Sequence, residues 1–439
     1  MLHQPTTASL AAPVKQEARI IILDSLRGFA ILGILLMNIP SFGLSGDTFI
    51  LHETGINYRT WYFINWIPDG TQRAMFSMLF GAGILLFVKN VEKRIEGIRV
   101  ADYFFRRQLW LLVFSLIDVF LLLWNGDILL DYALFGMLLF TFRNLSPKKL
   151  LIAAGVCLLL MLARENRDLY KSKKVIARGE TVAAMDTTKL KLSPKQQDEL
   201  SAMTEFKERT SLEKRIKRMQ KNVRILSSGS YEEVYEFRTE RYLTQIVRYI
   251  FFEAWDVLLF MFLGMAFFKM GILTGQAPSK IYWWMLIVGL GLGLFLSYLQ
   301  MLENVKYQYN NFEYSKHASI SYYQLHRALR SLGLFAAIML LYKSGLFKWL
   351  FALMRPVGQM AFTNYLMQSF ICGLFFNSMG FGMYGQLQRI EIYYVVAAIW
   401  LFQIIFCNIW LRYYRFGPFE WAWRSLTYWK KQQLKKQSA

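Results

Sequence analysis

Leu109-Trp-Leu-Leu-Val-Phe-Ser-Leu-Ile-Asp118-Val-Phe-Leu-Leu-Leu-Trp124 is an apolar run broken by a single acid. It reads as lipid-soluble, and it decides the fold class because comparable runs of about 18 residues recur along the chain. A carboxylate at that depth is expensive, so Asp118 is expected to face a protein or water-filled interior and to mark a functional site. The run ends at Asn125-Gly126-Asp127-Ile-Leu-Leu-Asp131-Tyr132, and the chain then turns apolar again. Three acids therefore gather where two spans meet. A buried aspartate hydrogen-bonded across helices accounts for Asp118 equally well.

Composition agrees with a membrane protein. The chain has 439 residues, is 55% hydrophobic and 17% aromatic, and yet carries a formal charge of +21. Lys and Arg accumulate in the cytoplasmic loops of membrane proteins, which gives that charge an ordinary cause. No basic module separates from the apolar spans, so nucleic acid is not an expected partner. Cys157, Cys372 and Cys407 all lie within apolar runs without CxxC spacing, which argues against a disulfide framework and a zinc site. The first apolar run starts near residue 20, contains Asp24 and Arg27, and lacks a small-residue cleavage site, so it is not a cleavable signal.

The expected fold is all-α and polytopic: a bundle of about ten transmembrane helices with an extramembrane helical insert. The expected spans are 26–44, 72–89, 107–124, 127–143, 149–164, 252–270, 281–299, 328–344, 357–378 and 391–411. They divide the chain into a cytoplasmic segment 1–25, helices one to five (26–164), an extracytoplasmic insert (165–250), helices six to ten (251–411) and a basic cytoplasmic tail (412–439). With both termini inside, Lys and Arg crowd the inner loops and tail, while the short outer loops hold few; an odd span count would scramble that asymmetry. In the insert, Ser193-Pro194 predicts a solvated helix running to Arg224, and Ser230-x-x-Glu233 has capping-box spacing ahead of an amphipathic helix with Val234, Phe237, Tyr242, Ile246 and Tyr249. No internal repeat is visible.

Polar residues sort into two belts by depth. Toward the cytoplasm lie Asp24, Arg27, the pair Arg106–Arg107, and Arg355. Arginine clusters at helix ends suit phosphate, although snorkelling anchors explain each residue alone, and Asp24 and Arg27 share a face on which they can pair. Toward the outside lie Asn38, Arg73, Asp118, Asp127, Asp131, Tyr132, Glu253, Asp256 and His326. Acids crowded in low dielectric make one a candidate general base. His326 has no second histidine at ligand spacing, so no metal is expected. Asn364 and Gln368, four apart, either hydrogen-bond between helices or line a polar passage. The run Leu79-Phe80-Gly81-Ala82-Gly83 is expected to let helices pack closely.

Taken together, Leu23-Asp24-Ser-Leu26-Arg27-Gly28 with Asn38, Leu79-Phe80-Gly81-Ala82-Gly83, Gly126-Asp127-Ile128-Leu129 before Tyr132, Ala361-Phe-Thr363-Asn364-Tyr365 with Gln368, and Trp410-Leu-Arg412-Tyr-Tyr-Arg415-Phe-Gly417-Pro418-Phe-Glu420-Trp421-Ala-Trp423-Arg424 resemble the YeiB-like family of bacterial membrane proteins, a domain of unknown function. Each motif is weak alone, but their number and order carry the resemblance over nearly the whole chain outside the insert. It implies a multi-pass protein of the bacterial inner membrane. Members of this family can carry a histidine where this chain has Asp118. Span one is also distantly similar to transmembrane acyltransferases, including the acyltransferase type 3 and heparan-glucosaminide acetyltransferase families, which implies a class and not a substrate.

The leading reading is an acyltransferase that takes an acyl group from cytoplasmic acyl-CoA and passes it to a lipid or glycan acceptor at the outer face. In it Arg27, Arg106 and Arg107 hold CoA phosphates, Asp118 or Asp127 acts as base, and Asn38 or Asn364 donates to the thioester oxygen. No tightly bound cofactor is expected. A transporter of a small solute or ion and a non-catalytic scaffold docking through the insert remain the alternatives.

Overall fold

The computed structural model describes residues 20–95, 97–185 and 191–436. The expected segment before residue 20 lies outside them, as do the side chains of Tyr249 and Glu253. Every regular element among the described residues is a helix. The first six are α1 (Ile21–Gly43), α2 (Gly55–Trp66), α3 (Thr71–Glu92), α4 (Arg99–Phe120), α5 (Leu129–Leu139) and α6 (Pro147–Ala183). Next come α7 (Pro194–Thr210), α8 (Leu212–Ser228) and α9 (Tyr231–Lys269). α10 (Ser279–Leu286) passes through a π-helical turn into α11 (Gly293–Lys306). α12 (Asn311–His317), α13 (Tyr323–Ser344), α14 (Lys348–Gln359), α15 (Ala361–Phe376), α16 (Arg389–Tyr413) and α17 (Pro418–Tyr428) complete the chain.

Five stretches are long and apolar enough to cross a membrane: Ile21–Gly43, Gly55–Glu92, Ser279–Lys306, Tyr323–Ser344 and Arg389–Tyr413. Leu129–Phe142 and Ala361–Phe376 are apolar but shorter. Helical backbone underlies all ten expected spans, yet among the described residues only these five satisfy both length and apolarity. Charge explains part of the shortfall. α4 carries Arg106, Arg107 and Asp118, and the apolar part of α6 is bounded by Lys149 and Arg164.

Local chemistry sets the ends of the insert helices. Ser193 caps α7 with Pro194 in the first turn. Ser230 and Glu233 form a reciprocal capping box at the start of α9, with backbone-to-side-chain distances of 3.1 and 3.2 Å. The solvated helix expected to run on to Arg224 is broken at Ser211, whose hydroxyl accepts from the Lys214 N–H at 3.3 Å and starts α8. α6 and α9 run unbroken from apolar into polar sequence, so the insert grows out of them.

Close packing follows the small residues. α3 lies along α9, and a Cβ on Gly81 or Gly264 would overlap the opposite backbone. α1 lies along α14 in the same way, through Gly28 and Gly358. The two ends of the bundle differ. One gathers the start of α1, the end of α3, the start of α4 and α17 around a shared cavity. At the other, α8 docks beside the end of α1, where Ser45 donates to the Met219 carbonyl at 3.2 Å and Asp47 pairs with Arg215.

Candidate functional site

A cavity of about 280 Å³ opens between α1, α3, α4, α5, α14, α15 and α17. Phe76, Phe80, Phe87, Phe104 and Phe362 supply apolar wall; Arg27, Arg107 and Arg424 supply positive charge. Gly83 belongs to this lining, so of the two span glycines only Gly81 serves helix packing. Asp24 is held by Arg27 at 3.0 Å and by the Gln359 amide at 3.2 Å, so that acid is already neutralised. Arg107 differs. Its guanidinium sits 3.6 Å from the Trp423 ring centroid and 5.1 Å from that of Phe87, and among the described residues no acid pairs with it. Arg424 and Arg27 are its charged neighbours. A planar cation held between rings with its edge free is arranged to receive an anion.

α17 is fixed in place at both ends of this wall. The Trp423 indole donates to the Arg107 carbonyl at 2.8 Å. Glu420 accepts from the backbone N–H groups of Phe362 and Thr363 at 2.8 and 3.0 Å and from the Thr363 hydroxyl at 2.5 Å. These are the unpaired donors of the α15 N-terminus, where a carboxylate is favoured.

The inner wall of the cavity includes Tyr132 and Tyr365. The Tyr365 hydroxyl donates to Asp127 at 3.1 Å and accepts from the Ile128 N–H at 3.1 Å. Asp127 also accepts from Ser115 and from the N–H groups of Leu129 and Leu130 at 3.1 and 3.0 Å, which nucleates α5. Asp118 is fully buried beside Asp127, Ser369 and Tyr365, yet neither of its oxygens makes a well-formed hydrogen bond to a described residue. Tyr132 shares a 2.8 Å hydrogen bond with Ser77, and Asp131 is buried near Tyr132 and Tyr242. Asp118, Asp127, Asp131 and Tyr132 thus converge, whereas Arg27 and Arg107 stand together at the cavity.

The other expected residues go elsewhere. Asp256 is clamped by Arg73 and Arg327, which come from α3 and α13, and Arg327 also holds Gln324. This part of the outer belt is therefore internally salt-bridged. His326 is buried against Tyr322 and Tyr323 in this second cluster, away from the cavity. The Glu253 side chain lies outside the described residues. Asn364 bonds to the Val357 carbonyl at 3.0 Å and to Cys407, and Gln368 to the Ile31 carbonyl and Gln403 at 3.2 and 3.0 Å. These amides tie helices together and are not part of this cavity's wall. Arg106 turns away to Asp102 at 2.6 Å, and Asn38, half-buried on α1, is also absent from the cavity wall.

Trp423, Arg424, Glu420, Tyr365 and Gln359 join the site without having been singled out for it. The 3–4 residue spacing of Glu420, Trp423 and Arg424 placed them on one helical face, but no local signal shows what that face meets.

No solved structure matches the chain significantly. Residues 267–430 match a family described as "Protein of unknown function (DUF418)". The chain is 27% identical to the uncharacterized protein YxaH of Bacillus subtilis (strain 168), with 97% of this chain and 98% of that protein aligned. It is 28% identical to the uncharacterized protein YeiB of Escherichia coli (strain K12), over 93% of this chain and 96% of that one. An uncharacterized 39.9 kDa protein of Bacillus acidopullulyticus is 25% identical over 95% and 96%. Along almost its whole length the chain is similar to uncharacterized YeiB-like proteins, and its C-terminal side, residues 267–430, matches the DUF418 family.

Proposed function

We propose that the chain is a ten-span inner-membrane acyltransferase, with the cavity end of the bundle in the cytoplasm and an acyl-CoA as donor. The observation that carries this reading is Arg107, a guanidinium beside the Trp423 and Phe87 rings with no acid paired to it among the described residues, in a largely apolar cavity that Arg27 and Arg424 also line. A ligand that fits has a phosphate head and an apolar, extended body. The adenine end stays outside, the pyrophosphate meets Arg27, Arg107 and Arg424, and the pantetheine arm with its acyl chain runs inward. Arg107 and Asp118 are separated by eleven residues of α4, about 16 Å along the helix, within reach of that arm.

Tyr365 is a polar group at the inner wall, and its bond to Asp127 gives a route for the proton released when an acceptor hydroxyl attacks the thioester carbonyl and CoA leaves as the thiol. The donor is a substrate, and no tightly bound cofactor is required. Lys and Arg bias toward the cavity end supports its cytoplasmic assignment.

The test is acceptor-dependent release of CoA. Full-length protein in vesicles of bacterial lipid is given acyl-CoA species of increasing chain length, and free thiol and acylated product are followed. Thiol release that Tyr365→Phe abolishes supports the reading. No release with any acyl-CoA and any lipid or glycan extract overturns it.

A further inference from the structure

The acids behind Tyr365 pose a separate physical problem. Asp118 and Asp127 lie side by side in the interior, from the end of α4 and the turn before α5. Asp127 is well supplied with donors: Ser115, Tyr365 and two backbone N–H groups. Asp118 is 0% exposed, and although Ser369 and Tyr365 stand beside it, neither oxygen makes a well-formed hydrogen bond to a described residue. No ion pair reaches either acid there. Among the described residues, the ionisable and hydroxyl groups set against the pair are Ser115 from α4, Tyr365 and Ser369 from α15, Tyr242 from α9, and the neighbouring Asp131. None of them is basic.

A fully buried carboxylate set beside a second one, with no counter-charge among the described residues, is costly as a bare anion, because Asp118 loses its hydration and is repelled by Asp127. Something positive must sit with them. The free oxygens of Asp118, the Ser369 hydroxyl and the near face of Asp127 are hard oxygen donors, suited to a proton or a small alkali cation and unsuited to a soft metal.

We propose that Asp118 and Asp127 form a binding site for one monovalent cation, H⁺ or Na⁺, with Asp118 as its principal ligand. The site adjoins the cavity through the Tyr365 hydroxyl, so its occupant sits one side chain from whatever the cavity holds. It stands whether or not the protein transfers acyl groups.

Dicyclohexylcarbodiimide attacks carboxyl groups that carry a proton in apolar surroundings, and it reads this site on the unaltered full-length protein. The protein in phospholipid vesicles is treated with the reagent, and the peptide containing residues 109–124 is weighed by mass spectrometry. Label on Asp118 that NaCl leaves unchanged identifies the proton. Label that NaCl suppresses and choline chloride does not identifies Na⁺ in competition with it. Unlabelled Asp118 with a measurable heat of Na⁺ binding also identifies Na⁺. Unlabelled Asp118 with no heat of Na⁺ binding overturns the proposal. Asp118→Asn, if it folds, should lose whichever of the two signals the unaltered protein gives, label or sodium heat, whereas Asp131→Asn should retain it.

Discussion

Tyr365 donates its hydroxyl proton to Asp127 at 3.1 Å while its ring lines the cavity that contains Arg107. One side chain thus joins the anion-receptive cavity to the buried acids. Tyr365→Phe removes only the hydroxyl, leaving the Ile128 N–H without its acceptor and Asp127 without one donor. We expect a loss of about 1–3 kcal/mol in stability. Thermal unfolding in detergent, with acyl-CoA binding measured in parallel, checks whether the ligand site survives when the link is cut.

Glu420 is expected to matter out of proportion to its place near the C-terminus. Glu420→Gln keeps the size but replaces a charged acceptor of three hydrogen bonds at the start of α15. The expected cost is about 1–3 kcal/mol, seen as a lower unfolding temperature. Weaker acyl-CoA binding should accompany it, because Trp423 and Arg424 ride on the same helix.

Breaking the clamp around Asp256 should be among the most damaging single changes. Asp256→Asn leaves Arg327 buried without its carboxylate, at an expected cost of about 3–5 kcal/mol. The folded fraction after detergent extraction, by size-exclusion chromatography, measures it.

Asn364 and Gln368 test the boundary between structure and chemistry. Gln368→Leu should cost about 0.6–2 kcal/mol through the lost contacts to Ile31 and Gln403, with acyl-CoA affinity unchanged. A loss of affinity with intact stability would place this amide in the binding path instead.

Helices were legible in the sequence because apolar length and capping residues are local signals: Ser193, Ser230 and the runs around α1 and α16 lie where they predict. The convergence of Arg27 with Arg107 was half legible, since both sit at the basic ends of apolar runs. Choosing Arg107 over Arg106 was not, because neighbours on a helix point about 100° apart and Asp102, four residues before Arg106, claims it. The ion pairs of the outer belt were not legible for a related reason. Asp256 meets Arg73 and Arg327 from distant parts of the chain, and such pairings leave no trace in local spacing. Glu420 at the α15 N-terminus joins segments 57 residues apart in the same hidden way.

The most direct measurement is the affinity of purified full-length protein for a long-chain acyl-CoA, compared among the unaltered chain, Arg107→Ala and Arg106→Ala. Loss of a charge-assisted contact in an enclosed site is worth about 1.5–3 kcal/mol, so Arg107→Ala should bind about 10–100-fold more weakly. Arg106→Ala, whose side chain turns toward Asp102, should bind like the unaltered protein. Equal affinity in all three, or no binding by the unaltered chain, would contradict the account.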